Sequence, residues 1–351
     1  MVTLKEQLGC WLNERWQTEL VLRSPKLAQL LGLSWLDLCN RSEVLQPDLI
    51  TGGRICQWQF SSRLTVARFF PEVGGRLLHH CLSDWPINLQ PVNTIWESRN
   101  PEVSIIVGIR GKSRLPQFFA CLASLQAQEG IDYEIIVVEQ SWENEFEKIL
   151  PRGVKYFHQK SPTSNAPYNR SWAFNFGVKK AQGKNVVLHD ADMLVPKKFA
   201  ISIANILSTG LDAVRLPRFI FYLDQHTSEF IQKKHILPTQ FAVSEVVANN
   251  RTPIATTKDV YLEIGGHDED FWGWGGEDDE FMDRLRTFKI SEGAYLPIIH
   301  LWHPASPQKA NGDRNSQLCN DRLQIPTQER IQELRGRARG ENFPSVDLNH
   351  H

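Results

Sequence analysis

The run Val103–Ile109 (VSIIVGI) constrains this chain more than any other stretch. It is a near-continuous apolar segment with the length of a strand buried on both faces. A strand of that kind needs covering layers above and below it, and the following segments supply them. Leu115–Gln126 predicts a helix, Glu134–Val138 a second buried strand and Val154–His158 a third. Asn169–Ala181 predicts a helix stopped by Gly183, and Asn185–Asp190 (NVVLHD) another buried strand. Strand–helix alternation of this sort predicts an α/β domain with a largely parallel sheet. Neither GxGxxG nor GxxxxGK(S/T) follows the first strand, which excludes a dinucleotide fingerprint and a P-loop. Beyond Leu194 the alternation loosens. Residues 217–255 interleave basic and aromatic side chains (Arg218, Phe219, Phe221, Tyr222, Lys233, Lys234) and read as irregular surface in preference to an acceptor-facing wall. Ala294–Pro304 (AYLPIIHLWHP) predicts a strand ending in two histidines.

Ahead of Pro101 the pattern differs. Leu4, Leu8 and Leu12, then Leu27, Leu30 and Leu31, fall at helical spacings around a break at Ser24–Pro25, and Ile55–Phe70 looks strand-like up to Pro71. Six of the eleven tryptophans lie in the first 96 residues, so this layer is expected to dock on the catalytic domain. Gripping a glycan and touching a membrane surface are the other readings. The expected division is an N-terminal, mainly helical extension (1–95), an α/β catalytic domain (96–305) and a polar C-terminal tail (306–351), partly ordered or folded as a covering helix. Lys and Arg number 39 against 40 Asp and Glu, and a net charge of −1 supplies no overall pull toward nucleic acid or membrane. No apolar run approaches the roughly 18 residues that span a bilayer, and the N-terminus lacks a signal-peptide layout. The six cysteines are scattered without a CxxC pair, which argues reduced thiols. The expected location is the cytoplasm, with peripheral contact at the inner membrane face as an open reading.

Chemistry concentrates in three places. Phe271–Phe281 (FWGWGGEDDEF) carries two Trp–Gly steps, then Gly275–Gly276, then Glu277, Asp278, Asp279 and Glu280 where a helix begins. Glycines let the backbone turn tightly or lie against a ligand, and acids suit a helix N-terminus. An acidic first turn without chemistry is the plain reading, yet four adjacent carboxylates exceed what capping uses and repel one another. The stretch reads as the carboxylate side of an active site. Asp190–Ala191–Asp192 stands at the C-terminal end of a predicted strand, the edge where open α/β sheets bind ligands, and paired carboxylates there suit a hard divalent cation. Asp268–Glu269–Asp270 has the same spelling but no strand before it. His300 and His303 follow the last predicted strand, and imidazole suits Mn2+ better than Mg2+. Both reach one ion only if the chain turns between them, and His303, beside Pro304, is the stronger candidate. The alternative is one core and one surface histidine. Arg110, Lys112 and Arg170 are the cations placed to meet a nucleotide, each also readable as a solvated cation, Lys112 most of all.

Together these residues, from Val103 to Pro304, resemble the metal-dependent GT-A glycosyltransferases, and most closely the animal β-1,4-galactosyltransferase family. That family's Tyr-Trp-Gly-Trp-Gly-Gly-Glu-Asp-Asp string is nearly reproduced by Phe271–Asp279. Its Pro-Phe-Arg-Asn-Arg motif corresponds to Gly108–Lys112, and its Phe-Asn-Arg to Tyr168–Asn169–Arg170 with Asn175 and Gly177 in step. Its Asp-Val-Asp corresponds to Asp190–Ala191–Asp192, and its Met-x-x-His to His300 and His303. The resemblance implies a GT-A fold, a mostly parallel central sheet flanked by helices. It implies Asp278 as catalytic base, Glu277 on acceptor or donor hydroxyls, and Trp274 lining the sugar pocket. Asp192 and His303, with His300 in the methionine's place, would be metal ligands. Arg110, Lys112, Arg170, Asp190, Gly275, Gly276 and Asp279 are expected on the substrate side. Glu139–Gln140–Ser141 departs from the Asp-Asp-Gly-Ser of many family-2 enzymes, and Asn249–Thr256 matches poorly where donor choice is set.

The expectation is an inverting transfer of galactose or N-acetylgalactosamine from a UDP-sugar to a glycan or glycolipid hydroxyl, with Mn2+ as cofactor and Mg2+ as the alternative ion. Polysaccharide biosynthesis is the setting this suggests. A metal, a leaving diphosphate and a base form the minimal kit for such a reaction. A retaining UDP-GalNAc-type transferase is the enzymatic alternative, disfavoured by Asp at 278. An inactive nucleotide-sugar or glycan-binding protein is the other, disfavoured by intact Asp192, Asp278 and His303. No nucleic-acid role is expected.

Overall fold

The computed structural model describes residues 3–58, 60–91, 97–304 and 312–341. It begins with helices α1 (Leu4–Cys10) and α2 (Trp16–Arg23), joined without a break by a π turn at Trp11–Arg15, and then α3 (Pro25–Leu30). A ribbon of β1 (Leu45–Pro47) and β2 (Arg54–Cys56) follows, then β3 (Ser62–Arg63), α4 (Thr65–Phe69) and α5 (Pro71–Asp84). The strand expected over Ile55–Phe70 is therefore corrected to two short strands and a helix. Pro71, taken as a strand terminator, is instead the first residue of α5, where its missing N–H costs nothing. The apolar residues around it (Val66, Ala67, Val73, Leu77, Cys81) are buried at helical spacing.

The α/β elements lie close to where the sequence puts them: β4 (Val103–Ile109), α6 (Leu115–Leu125), β5 (Tyr133–Glu139), β6 (Lys155–His158), α7 (Arg170–Lys180) and β7 (Asn185–His189). Then come β8 (Met193–Leu194), α8 (Phe199–Leu207), β9 (Ala213–Arg215), β10 (Pro217–Leu223), α9 (Gln225–Lys234), β11 (Val243–Ala248) and β12 (Ile254–Thr257). The chain continues through α10 (Lys258–Glu263), α11 (Glu277–Leu285), β13 (Ile290–Ser291), β14 (Leu296–His300), α12 (Gly312–Gln324) and α13 (Thr327–Gly336).

The central sheet has seven strands in the order β13-β9-β12-β7-β4-β5-β6, parallel throughout except that β12 runs against both neighbours. Alternation along β4 and β5 explains the unbroken apolar runs. Ile105, Val107, Ile135 and Val137 face a layer with α6 and α8 (Phe118, Leu122, Phe199, Ile203). Ile106, Ile136 and Val138 face the opposite layer, with Trp172 and Phe176 of α7 and Phe281 of α11. Each such buried aliphatic side chain contributes about 1.5–3 kcal/mol. Helix α7 lies so close to β4 that a Cβ on Gly177 would stand 2.3 Å from Ile106 Cγ2.

A second sheet, ordered β3-β11-β10-β14-β8, corrects the reading of residues 217–255 as irregular surface. Phe219 and Phe221 of β10 are fully buried, and Arg218 donates to the Leu36 and Leu38 carbonyls from inside the protein. Its basic and aromatic composition concealed a core strand because the one cation in it has buried backbone partners. The N-terminal helices and α5 share a core with this sheet (Cys10, Val21, Leu77 with Leu194, Phe221, Ile299, Leu301), so the tryptophan-rich region docks. Residues 306–311 and 342–351 of the expected tail lie outside the described residues; between them α12 and α13 pack on α11.

Candidate active site

Strand β7 ends at His189, and Asp190–Ala191–Asp192 turns the chain into β8, which pairs antiparallel with β14 so that Met193 lies opposite His300. This register sets Asp192 beside the end of β14, and the Leu301 N–H fixes it by donating to the Asp192 carbonyl at 2.9 Å. The strand stops at His300 and the chain leaves regular structure, which lets His303 come to the same carboxylate. His303 Nε2 lies 3.2 Å from Asp192 Oδ2, and His300 Nε2 3.7 Å from Asp192 Oδ1. One ligand atom from each of the three residues falls within 4.8 Å of the others. Tyr222, the register partner of His300 across β10 and β14, stacks on its ring at 4.3 Å and 23°.

The donor set fits a divalent metal ion. His303 Nδ1 is 2.8 Å from the Pro304 carbonyl, which only accepts, so Nδ1 carries the proton. In the neutral ring Nε2 then aims a lone pair at a carboxylate oxygen, and two acceptors that close repel unless the ring is doubly protonated or a cation lies between them. Asp192 Oδ1 and His300 Nδ1 are buried without a hydrogen-bond partner among the described residues. One carboxylate with two imidazoles, one of them oriented by a backbone carbonyl, is a donor set for a transition-type ion. Burial pushes the Asp192 carboxyl up, but the charges of His300, His303 and Arg114 overcome it and hold it well below the usual carboxylate range. His300 is itself held below its ordinary value by burial, against the pull of the Asp192 charge.

Arg114 is the residue the sequence reading missed. Gly111, at φ 62°, leads into a 3-10 turn over Lys112–Arg114 that carries Arg114 Nη1 to 2.9 Å from Asp192 Oδ2. Lys112 is exposed and makes no ion pair among the described residues; Arg110 is half-buried and donates to the Ser164 carbonyl at 3.1 Å. Basic residue type alone could not separate these three; the left-handed glycine before the turn was the available signal.

Arg170 opens α7 behind its N-cap Asn169 and is ringed by acids. Its Nε and Nη2 both lie 2.9 Å from Asp190 Oδ1, its Nη1 is 2.7 Å from Asp278 Oδ1, and Glu277 Oε1 is 3.5 Å away. The four-acid run is balanced by arginines along its length, Glu277 and Asp278 sharing Arg170. Asp279 pairs with Arg251, a second residue not foreseen. Glu280 is fully inside the protein, held by Arg284 at 2.6 Å and Arg330 at 2.7 Å, and belongs to the core. Glu277 is buried, and its carboxyl is pushed up to about 7 by burial first and by the Asp278 charge second, against the pull of Arg170. Asp278 is the more exposed of the two.

The loop before these acids is held from below. Gly276 caps α11 with φ 84°, and a Cβ there would stand 2.8 Å from the Asn315 carbonyl oxygen and 2.9 Å from the Phe271 ring. Asn315 of α12 donates to the carbonyls of Trp272 at 2.8 Å and Trp274 at 3.1 Å, and the Gly273 N–H to that of Tyr168 at 2.9 Å. Of the two indoles Trp272 is buried and Trp274 is 57% exposed. Asp268 and Asp270 are bound by Arg322 and Arg337.

Residues 105–254 match the family model described as glycosyl transferase family 2, and residues 253–301 the one described as N-terminal domain of galactosyltransferase. Mouse (Mus musculus) β-1,4-galactosyltransferase 6 is 25% identical over 212 residues, 57% of this chain and 44% of that protein. Human (Homo sapiens) β-1,4-galactosyltransferase 3 is 27% identical over 162 residues, 43% of this chain and 35% of that protein. The chain thus spans less than half the length of these curated relatives. Among solved structures, the catalytic domain of Drosophila β-1,4-galactosyltransferase 7 with xylobiose aligns at a TM-score of 0.37 and 16% identity, over 69% of this chain and 84% of that one. A mannosyltransferase from Pyrobaculum calidifontis in complex with GDP-Man and Mn2+ aligns at 0.41 and 14% identity, over 71% of each.

Proposed function

From the premise that this chain is a galactosyltransferase-like protein of GT-A fold, we propose that it transfers galactose or N-acetylgalactosamine from a UDP-sugar to a glycan or glycolipid hydroxyl, with inversion and with Mn2+ as cofactor. The observation that carries the reading is the reach of Arg170. One guanidinium touches both Asp278 and Asp190, and Asp190 stands two residues from the Asp192 that the two histidines face. Acid and cation site therefore lie on either side of one side chain.

Asp192, His300 and His303 would hold the metal, Mg2+ being the alternative ion; bound there, it supplies positive charge against a departing diphosphate. Asp278 takes the proton of the acceptor hydroxyl as that oxygen bonds to the anomeric carbon and the sugar–phosphate bond breaks. Arg170 fixes the carboxylate in place from the protein side. Glu277, buried and near neutrality, contacts sugar hydroxyls, and exposed Trp274 offers a flat apolar face to a sugar ring. Arg110 and Arg114 form a basic wall for the nucleotide diphosphate, with Lys112 at its outer edge.

The test is release of UDP across a panel of UDP-sugars, with and without EDTA, and product anomer by NMR. Asp278→Asn should abolish turnover while keeping UDP binding, and Asp192→Ala should lose the Mn2+-dependent part of UDP binding. An inverted anomer supports this reading and a retained one the GalNAc-type alternative. Near-normal turnover by Asp278→Asn would remove Asp278 from the role of base.

A further inference from the structure

Among the described residues, the outer face of the first helices has no partner. Leu4, Leu8, Leu12 and Trp16, every fourth residue, are all exposed, Leu4 to 84% and Trp16 to 50%, and Trp11 lies exposed beside them. In a regular α-helix residues four apart drift around the axis by about 40° per step, so such a row would wind out of line within three turns. The π turn at Trp11–Arg15 takes up the drift. It keeps the exposed row on one side and the buried row Cys10, Glu14 and Thr18 on the other. Asn13 Nδ2 donates to the Gly9 carbonyl at 2.6 Å, and Glu14 is anchored by Arg41 at 3.2 Å, so the altered pitch is built into the packing. Helix α3, packed on α2, continues the apolar surface with Leu30, 84% exposed.

Charge decides what this face fits. The exposed charged residues between Thr3 and Leu31 are Lys5, Arg23 and Lys26 against Glu6 alone. Arg23 pairs with Glu19 at 2.5 Å, and the Glu6 carboxylate caps α1 by accepting from the Thr3 N–H, which leaves Lys5 and Lys26 as the cations without an ion pair among the described residues. Leucine and tryptophan on one side with lysine and arginine along the border is the composition of a helix lying in a membrane interface; lysine is depleted where two proteins meet. We infer that this face docks the protein on an anionic lipid bilayer, the leucines entering the acyl boundary and the Trp11 and Trp16 indoles resting at headgroup level. The inner side of the same helices shares a core with Leu194, Ile299 and Leu301, the neighbours of Asp192 and His300, so the docked face and the candidate site move as one body. The inference stands independently of the transfer reaction.

Flotation of the full chain with vesicles made of equal parts phosphatidylcholine and phosphatidylglycerol, against pure phosphatidylcholine, tests it. Wild type should float with the anionic vesicles and lose most of that binding in high salt or on neutral lipid. The triple variant Leu8→Gln/Leu12→Gln/Trp16→Gln should bind at least tenfold more weakly, while Trp16→Phe should keep binding. Mn2+-dependent UDP binding by the triple variant, measured by calorimetry, should equal that of wild type, which separates failure here from failure of the catalytic reading. Absence of flotation by wild type overturns the inference. So does a wild-type dimer in light scattering that the triple variant converts to monomer, because the face would then belong to a second copy.

Discussion

Arg170 Nη1 lies 2.7 Å from Asp278 Oδ1, joining the start of α7 to the start of α11 across 108 positions of sequence. The same guanidinium holds Asp190 Oδ1 through Nε at 2.9 Å. A planar fork that serves two carboxylates at once has no lysine equivalent. Arg170→Lys should therefore lower kcat by about a hundredfold by letting the Asp278 carboxylate wander, while Mn2+ binding, which does not involve Arg170, stays within a factor of two of wild type. Steady-state kinetics beside Mn2+ titration by electron paramagnetic resonance reads both. An unchanged kcat would remove Arg170 from the positioning of Asp278.

Glu280 looks like its three predecessors in the sequence but stands between two buried arginines, Arg284 and Arg330. Removing a buried partner leaves uncompensated charge behind, so Glu280→Ala should destabilise the protein by about 3–5 kcal/mol. Denaturant unfolding measures this. The change is in stability, not in substrate affinity of the folded fraction; a variant that melts like wild type but binds UDP-sugar poorly would reassign Glu280 to the site.

Glu277 gives a pH dependence whose sign is fixed. Its folded carboxyl is raised from 4.5 to about 7, so the folded protein holds this proton more tightly than the unfolded chain. The stability it contributes is fully present below pH 4.5 and is lost as pH climbs through about 7. Wild type should fall behind Glu277→Gln between pH 5 and 8, by at most about 3.5 kcal/mol at about 1.4 kcal/mol per unit. Thermal melts of the two proteins across that range test it; a gap that does not change with pH would show that Glu277 is not buried as a near-neutral acid.

Gly276 and Gly275 both have positive φ, but only Gly276 is also crowded, by Asn315, Phe271 and Cys319. Gly275→Ala meets nothing within 4 Å and carries the backbone strain alone, of order 1 kcal/mol. Gly276→Ala adds displacement of α12, and should cost a further 1–3 kcal/mol or so. Comparing the two melting curves isolates the contact, and equal losses would mean that α12 yields freely.

The central sheet was legible because β4, β5 and β7 are covered on both faces, which leaves unbroken apolar runs that no other element imitates over so short a length. The second sheet was not, because Arg218 is buried on backbone carbonyls, and a cation in a sequence reads as surface. Strand ends and spacing pointed to Asp190, Asp192 and the two histidines, and the family resemblance to Asp278. Arg114 and Arg251 were not. Their partners, Asp192 and Asp279, are remote in sequence, and the chain order does not say which cation meets which acid.

Asn315 stands more than forty residues after Trp272 and Trp274, yet its side chain carries both of their backbones. The rim of the proposed sugar pocket is thus completed only when the segment around Asn315, in the last forty residues of the 351, has folded back. A fragment ended at Pro304, where the family resemblance stops, would keep every acid and histidine named here and still present the glycine–tryptophan rim without its footing.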